Sequence, residues 1–106
     1  MAKLRLVISP EAQRNIDEHE DFLADEAGIE VAFRFHEAFY EALNRLGEMP
    51  GVGASREWLN PRLLGLRMWP IPDFQSHIIY YRTLGEELHV LWVLHGARDR
   101  DTIIRS

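Results

Sequence analysis

Cysteine is absent from the chain, which excludes disulfide bonds and thiolate metal sites and suits a reducing compartment. No apolar run approaches the roughly 20 residues that a membrane-spanning helix needs. The first ten residues, MAKLRLVISP, are too short and too polar for a signal peptide. We therefore expect a cytoplasmic protein with no membrane partner.

Lysine is almost absent, and Lys3 is its one occurrence. The chain also lacks a glycine-rich phosphate loop, an HExxH motif and a nucleophile elbow. Its histidines do not combine with carboxylates at metal-ligand spacings. We therefore expect no metal and no cofactor. The histidines are His19, His36, His77, His89 and His95.

Charge is distributed unevenly along the chain, which has 12 basic and 17 acidic residues and a net charge of −5. That total argues against nucleic-acid binding. Between Ser9 and Glu48, however, there are eleven acidic residues and three arginines, so the local charge is −8. The remainder carries a local charge of +3, so a partner that touches this second half meets arginines.

The first half of the chain predicts one strand and two helices. Lys3–Ile8 alternates as a strand with one buried face. Ser9 and the proline after it are typical of a helix start, and Gly28 is typical of a helix end. This first helix carries His19 within its apolar stripe. A second helix is predicted from about Glu30 to Leu46, and the short connection favours an antiparallel helical hairpin.

The second half predicts three strands. Gly47 is expected to cap the second helix. Leu63–Trp69 reads as a strand that ends at the following proline. His77–Thr83 and Leu88–His95 read as a hairpin around a short polar turn. On its last strand we expect one face to carry a single alternating set. That set consists of Leu88, Val90, Trp92 and Leu94.

The predicted fold is α+β, within a single domain spanning residues 1–106. An N-terminal strand precedes an antiparallel helical hairpin, which packs on one face of a mainly antiparallel sheet of three to four strands. We expect the other face of the sheet to show Arg67, Trp69, Tyr81 and one or two histidines, if the register follows the simple alternation.

Arginines are the main candidates for chemistry or binding. Taken singly, each is explained by pairing with nearby acids or by covering apolar surface. Taken together with Trp69, Tyr81 and His95, they suit a partner interface or the stacking of RNA bases. His95 has the side chain of a general acid or base, but a histidine at a strand end also commonly hydrogen-bonds the backbone.

Five blocks of the sequence, spread over nearly the whole chain, carry a family resemblance. In order they read LVISPEAQRNIDE, ALNRLGEMPGVG, LLGLRMW, HIIYYR and VLWVLHGARD. Together they resemble the RelE/ParE superfamily of type II toxin–antitoxin toxins, and HGARD looks most like the ParE branch. The resemblance implies a toxin held inactive by a cognate antitoxin, whose C-terminal segment covers apolar grooves. The residues expected to contact the antitoxin are Phe22, Phe35, Phe39 and Leu43.

The resemblance offers two activities. RelE-like members are ribosome-dependent mRNA endonucleases that use a cluster of lysines and arginines, whereas ParE-like members lack the cluster and inhibit DNA gyrase by protein–protein contact. Here His77 stands at the best match to a catalytic arginine, although Arg98 matches the basic position after the last strand. We therefore predict a gyrase inhibitor that is not an enzyme and does not bind nucleic acid sequence-specifically. Its expected target contacts are Arg67, Trp69, Arg98, Arg100 and Arg105.

Two alternatives remain open from the sequence. The first is a ribosome-dependent endonuclease that uses Arg67, His95 and Arg98. The second is a degenerate, non-toxic relative that only binds its antitoxin.

Overall fold

The computed structural model describes residues 3–99, so the predicted target contacts Arg100 and Arg105 lie outside the described residues. An N-terminal strand precedes two helices packed on a sheet, which confirms the predicted α+β fold. None of the helices in this range is long and apolar enough to cross a membrane. The elements are β1 (Arg5–Ile8), α1 (Pro10–Ala27), α2 (Ile29–Glu48), β2 (Ala54–Ser55), β3 (Arg67–Ile71), β4 (Phe74–Leu84) and β5 (Glu87–His95).

The sheet has five strands in the order β1-β5-β4-β3-β2. Its three other pairings are antiparallel, but β1 lies parallel to β5, with Leu6 opposite Leu88. The predicted number of strands, three to four, was too low because β2 has only two residues, too few to show an alternating pattern. The parallel pairing brings the start of α1 beside the far end of β5, which positions the site described below.

The helical hairpin begins and turns where the sequence predicts. Ser9 caps α1, because its Oγ accepts a hydrogen bond from the Ala12 N–H at 3.0 Å. Gly28 joins α1 to α2 with a φ of +100°, a conformation that disfavours residues with a Cβ. The prediction for Gly47 was wrong, since α2 continues through it to Glu48. A Cβ there would meet the Lys3 side chain, so its small size serves packing.

The third strand was misplaced by the sequence analysis. Residues Pro61–Leu63 form a 3₁₀ turn, and β3 begins at Arg67 and runs through Pro70 to Ile71. Proline is tolerated because the register with β4 shifts between Pro70 and Ile71, and the ladder does not require its missing N–H there.

A bulge in β5 overturns the predicted single-face set. Leu91 is skipped in the pairing with β4, since consecutive residues of β4 pair with Val90 and Trp92. One extra residue in the strand moves every later side chain to the opposite face of the sheet. Leu88 and Val90 therefore pack beneath the helices, whereas Trp92 and Leu94 pack on the opposite face.

The core beneath the helices includes residues expected on the other face of the sheet. Tyr81 is fully buried there, and Trp69 packs against the same cluster. Arg67 is paired with Tyr81 across the β3–β4 ladder and so shares its face. The expected placement of these three residues was wrong because the alternation, which pairs Arg67 with Tyr81 and Trp69 with Ile79, directs their shared face toward the helices. The other buried members are Ala12, Ile16, Phe35, Phe39, Ala42, Leu43, Leu46, Ile71, Ile79, Leu88, Val90 and Val93.

The opposite face of the sheet is covered by the loop of residues 56–66. Trp58 is half-buried under this loop, and its Nε1 donates a hydrogen bond to the Leu66 carbonyl at 3.1 Å. This smaller cluster fastens an irregular segment to the sheet. Its buried members are Leu63, Leu66, Tyr80, Trp92 and Leu94.

Tyr81 also fastens the segment that leaves α2. Its hydroxyl donates to the Pro50 carbonyl at 2.8 Å and accepts from the Gly53 N–H at 2.9 Å. Arg67 Nη1 donates to the Gly53 carbonyl at 2.7 Å. A Cβ at Gly53 would overlap the tyrosine hydroxyl, so the close approach requires glycine.

Candidate functional site

A cavity of about 510 Å³ lies between α1 and the adjoining ends of β4 and β5. Its walls combine charged groups, two histidines and apolar side chains. The lining residues are Glu11, Arg14, Asn15, Glu18, His19, Phe22, His77, Trp92, Val93, Leu94, Arg98 and Asp99.

Side-chain hydrogen bonds connect the start of α1 to β5 next to the bulge. The Trp92 Nε1 donates to Glu11 Oε2 at 2.8 Å, and the Val93 N–H donates to Asn15 Oδ1 at 3.2 Å. Ser9 Oγ donates to the carbonyl of the bulged residue at 2.8 Å. The last two of these bonds pair backbone groups of β5 near the bulge, where the hydrogen-bond ladder with β4 is interrupted. All three also fix one wall of the cavity.

Three histidines from three elements come together beside the cavity, and two of them, His19 and His77, line it. The ring centroids of His19 and His77 lie 3.7 Å apart, and those of His77 and His95 lie 5.4 Å apart. Phe35 meets the His19 ring edge-on at 4.6 Å. His77 is 7% exposed, and its Nε2 has no hydrogen-bond partner among residues 3–99.

The histidine cluster holds its inner rings in the neutral form. Burial, together with the neighbouring His19, His95 and Arg98, lowers the pKa of His77 to about 4. Burial is also the main cause that lowers the pKa of His19, followed by Arg98 and His95. At neutral pH, the His77 ring is therefore uncharged.

The chain leaves β5 through a turn in which Arg98 and Asp99 pair with each other. Arg98 Nε and Nη2 donate to the two Asp99 carboxylate oxygens, both at 3.2 Å. These bonds lower the pKa of Asp99 and raise that of Arg98. Asp99 also accepts from the His95 N–H at 3.0 Å, and His95 Nδ1 accepts from the Arg98 N–H at 3.0 Å.

The residues expected to act together are separated into two places. His95 and Arg98 are neighbours in the exit turn, as described above. Arg67 instead lies opposite Tyr81, four residues along β4 from His77, or about 13 Å at strand spacing. Trp69 lies on β3 with Arg67, and neither of these two lines the cavity.

The apolar set expected to contact an antitoxin divides in the same way. Phe35, Phe39 and Leu43 are fully buried in the core between the helices and the sheet. A partner reaches them only by opening that core. Phe22 is 55% exposed and lies at the cavity, so it is the accessible member of the set. Ile29 and Phe33 are two further exposed apolar residues of α2.

Sequence reasoning missed the histidine cluster. It assigned His19 to the apolar stripe of α1 and did not place that ring against His77. The expected signal, two histidines at a fixed spacing on one element, does not exist here because the rings come from α1, β4 and β5. Across residues 3–99, no group of three or more His, Asp or Glu residues is arranged to hold a metal ion.

Comparisons with known proteins identify the family of the chain. Residues 6–100 match the family described as "ParE toxin of type II toxin-antitoxin system, parDE". Toxin ParE1 of Mycobacterium tuberculosis, strain CDC 1551 / Oshkosh, is 29% identical over 98 residues, which cover 92% of this chain and 94% of that protein. The same toxin of strain H37Rv matches equally.

A solved structure titled "Chromosomal ParDE TA system from P. aeruginosa" shares the fold, with a TM-score of 0.72 at 20% identity. The match covers 88% of this chain and 96% of that chain. The resemblance stated from the sequence is confirmed. The chain belongs to the ParE family of type II toxin–antitoxin toxins.

Proposed function

We propose that this toxin inhibits DNA gyrase by protein–protein contact, without being an enzyme, and that a cognate antitoxin neutralises it in the cytoplasm. The observation that carries the proposal is the separation of the candidate catalytic groups. Arg67 binds the loop carbonyl of Gly53, whereas His95 and Arg98 lie in the exit turn. Charge that develops on a scissile phosphate must be met by several donors at once, and these groups do not converge on one position.

The electrostatics of the cavity add support. His77, at the position matched to a catalytic arginine, has a pKa of about 4 and contributes no cation at neutral pH. The Arg98 guanidinium is paired with Asp99, and the carboxylates of Glu11 and Glu18 also line the cavity. An RNA phosphate that entered would meet acids as well as arginines. The mRNA endonuclease alternative is therefore the weaker one.

Among the expected target contacts that lie within residues 3–99, Arg98 is the best placed. Its side chain is 65% exposed, so it can exchange its bonds to Asp99 for a partner's carboxylate. Arg67 and Trp69 are half-buried, and Arg67 is already bonded to the loop. We therefore assign Arg98 to direct contact and Arg67 to positioning of the loop.

The helical hairpin is the proposed antitoxin surface. Its local charge of −8 favours a basic segment, and its exposed Phe22, Ile29 and Phe33 favour apolar anchors in that segment. Neutralising the basic residues of the antitoxin segment should slow association at low salt. An unchanged association rate would contradict this assignment.

A supercoiling assay tests the target. Purified toxin added to gyrase and relaxed plasmid should block supercoiling and trap a cleavage complex at micromolar concentration. Arg98→Glu should weaken the block, whereas Arg34→Glu, the same charge change on an exposed helical residue, should not. Absence of any block by the wild-type chain would contradict the gyrase proposal.

Primer extension on mRNA after induction of the toxin tests the endonuclease alternative, and growth without the antitoxin tests the non-toxic alternative. New 5′ ends would establish the endonuclease activity instead. No growth arrest without the antitoxin would favour the non-toxic relative.

A further inference from the structure

The loop that covers the outer face of the sheet presents a basic and apolar surface. We call it the loop face and define it by Arg56, Leu59, Arg62, Leu64 and Arg82. Leu59 is fully exposed and Leu64 is 66% exposed. Exposed leucines that alternate with unpaired charges are typical of a surface that binds another protein.

The arginines of the loop face have no carboxylate partner among residues 3–99. Arg56 lies over the Trp58 ring, 4.4 Å from its centroid. Arg82 Nη1 donates to the Arg62 carbonyl at 2.6 Å, and its buried Nε has no partner in the described chain. These contacts orient the guanidinium groups but leave their charge uncompensated.

The loop is held in place, so the exposed leucines are a fixed feature. Leu63 and Leu66 are buried on either side of Leu64. Asn60 Oδ1 accepts from the Arg62 N–H at 2.9 Å and fixes the start of the 3₁₀ turn. A pre-ordered surface of this kind loses little conformational entropy when a partner binds.

We propose that the loop face docks an acidic segment rich in aliphatic residues on the toxin's protein target. The inference rests on the proposed function in one respect, namely that the target is a protein. Charge complementarity separates it from the antitoxin surface, because the hairpin carries −8 and calls for a basic partner. One chain thus presents surfaces of opposite sign to two partners.

Nucleic acid fits the loop face less well than protein does. Single-stranded RNA is held by aromatic rings on which bases stack. In the described loop Trp58 is half-buried and already covered by Arg56, and the exposed apolar groups Leu59 and Leu64 are aliphatic. The net charge of −5 also repels a polyanion, whereas a short acidic segment meets a local excess of Arg56, Arg62 and Arg82 over Glu57.

Fluorescence anisotropy with the full chain tests the proposal. The probe is a labelled peptide of Asp, Glu and Leu. Two comparison ligands are measured as well. One is a peptide with Lys in place of the acids, and the other is a single-stranded RNA of equal length. The acidic peptide should bind best, and Arg56→Glu with Arg62→Glu should weaken its binding at least tenfold. Leu59→Ser with Leu64→Ser should also weaken it. The matched control, Arg34→Glu with Arg45→Glu on α2, should change it less than twofold.

Several results would overturn the proposal. They are no binding of the acidic peptide, equal losses in the two charge-reversed double variants, and tighter binding of the RNA. Thermal unfolding of each variant confirms that the exposed substitutions leave the fold intact. Failure of the gyrase proposal is distinguishable, because the wild-type chain would then bind the acidic peptide yet leave supercoiling unaffected.

Discussion

The two faces of the sheet are covered in different ways. Beneath the helices, large side chains such as Phe35, Phe39 and Tyr81 are fully buried by regular, capped elements. On the outer face, Tyr80 and Trp92 keep a little exposure beneath an irregular loop. The difference indicates that the helix face supplies most of the stability, while the outer face supplies a surface that can be shaped for a partner.

The same comparison holds for charge. The acidic residues are concentrated on the helical hairpin, whereas the arginines of the loop face have no acids beside them in an ion pair within residues 3–99. Under the proposed function, the antitoxin and the target would each bind a surface of opposite sign.

The largest effect is expected from the helix face. Phe39→Ala should lower the free energy of unfolding by about 3–5 kcal/mol, because it removes a fully buried ring and leaves a cavity. Phe22→Ala, at an exposed position, should lower it by less than about 1 kcal/mol. Urea unfolding followed by circular dichroism measures both. Equal costs would contradict the distinction between core and binding residues.

Acid should destabilise the chain through the histidine cluster. The pKa of His77 is about 4 when folded and about 6.5 when unfolded, so the unfolded chain takes up the proton first as pH falls. The stability present above pH 6.5 is therefore lost between there and pH 4, by about 3 kcal/mol. Urea midpoints across that range measure the slope.

Carboxylates titrate in the same range, so the comparison needs a variant. His77→Gln should flatten the slope above pH 4. Identical slopes for the wild type and His77→Gln would show that the cluster does not control acid stability.

A smaller effect is expected from the outer face. Leu66→Ala should cost about 2–3 kcal/mol, toward the lower end for a buried leucine, because the covering loop can collapse into the space. The variant should also weaken binding to the acidic peptide, since the loop face rests on this side chain. Stability is read from urea unfolding. A cost equal to that of Phe39→Ala would contradict the proposed difference between the faces.

The smallest effect concerns the bonds between Tyr81 and the segment after α2. Tyr81→Phe should cost about 1–3 kcal/mol, because the Pro50 carbonyl and the Gly53 N–H lose their partner. Tyr40→Phe, at a half-buried helical position, is the control and should cost less. Thermal unfolding ranks the two. If both variants matched the wild type, these bonds would not stabilise the fold.

The sequence predicted the helix side of the molecule well. Ser9, Gly28 and the apolar stripes identify the hairpin through local chemistry that acts within a few residues. The β5 bulge was not predictable in the same way. Both faces of β5 are apolar, so a change of phase at Leu91 leaves no change in pattern. A two-residue β2 likewise lies below the length at which alternation can be read.

The candidate site was predicted in its ingredients but not in its arrangement. His95 and Arg98 were expected to lie close together, and they do, because they are neighbours along the chain. The approach of His19 to His77 depends on the parallel β1–β5 pairing and on the register of β4, both of which are long-range. Arg67 was expected at a functional surface, but a single carbonyl of the loop decides its orientation.

The most direct test of the central claim is a supercoiling assay that compares the two charge-reversed double variants. If the toxin acts by protein contact through the loop face, Arg56→Glu with Arg62→Glu should require at least tenfold more protein to block gyrase. Arg34→Glu with Arg45→Glu should act like the wild type. Equal inhibition by both variants would contradict the role of the loop face. No inhibition by the wild type, with new mRNA 5′ ends after induction, would contradict action by protein contact altogether.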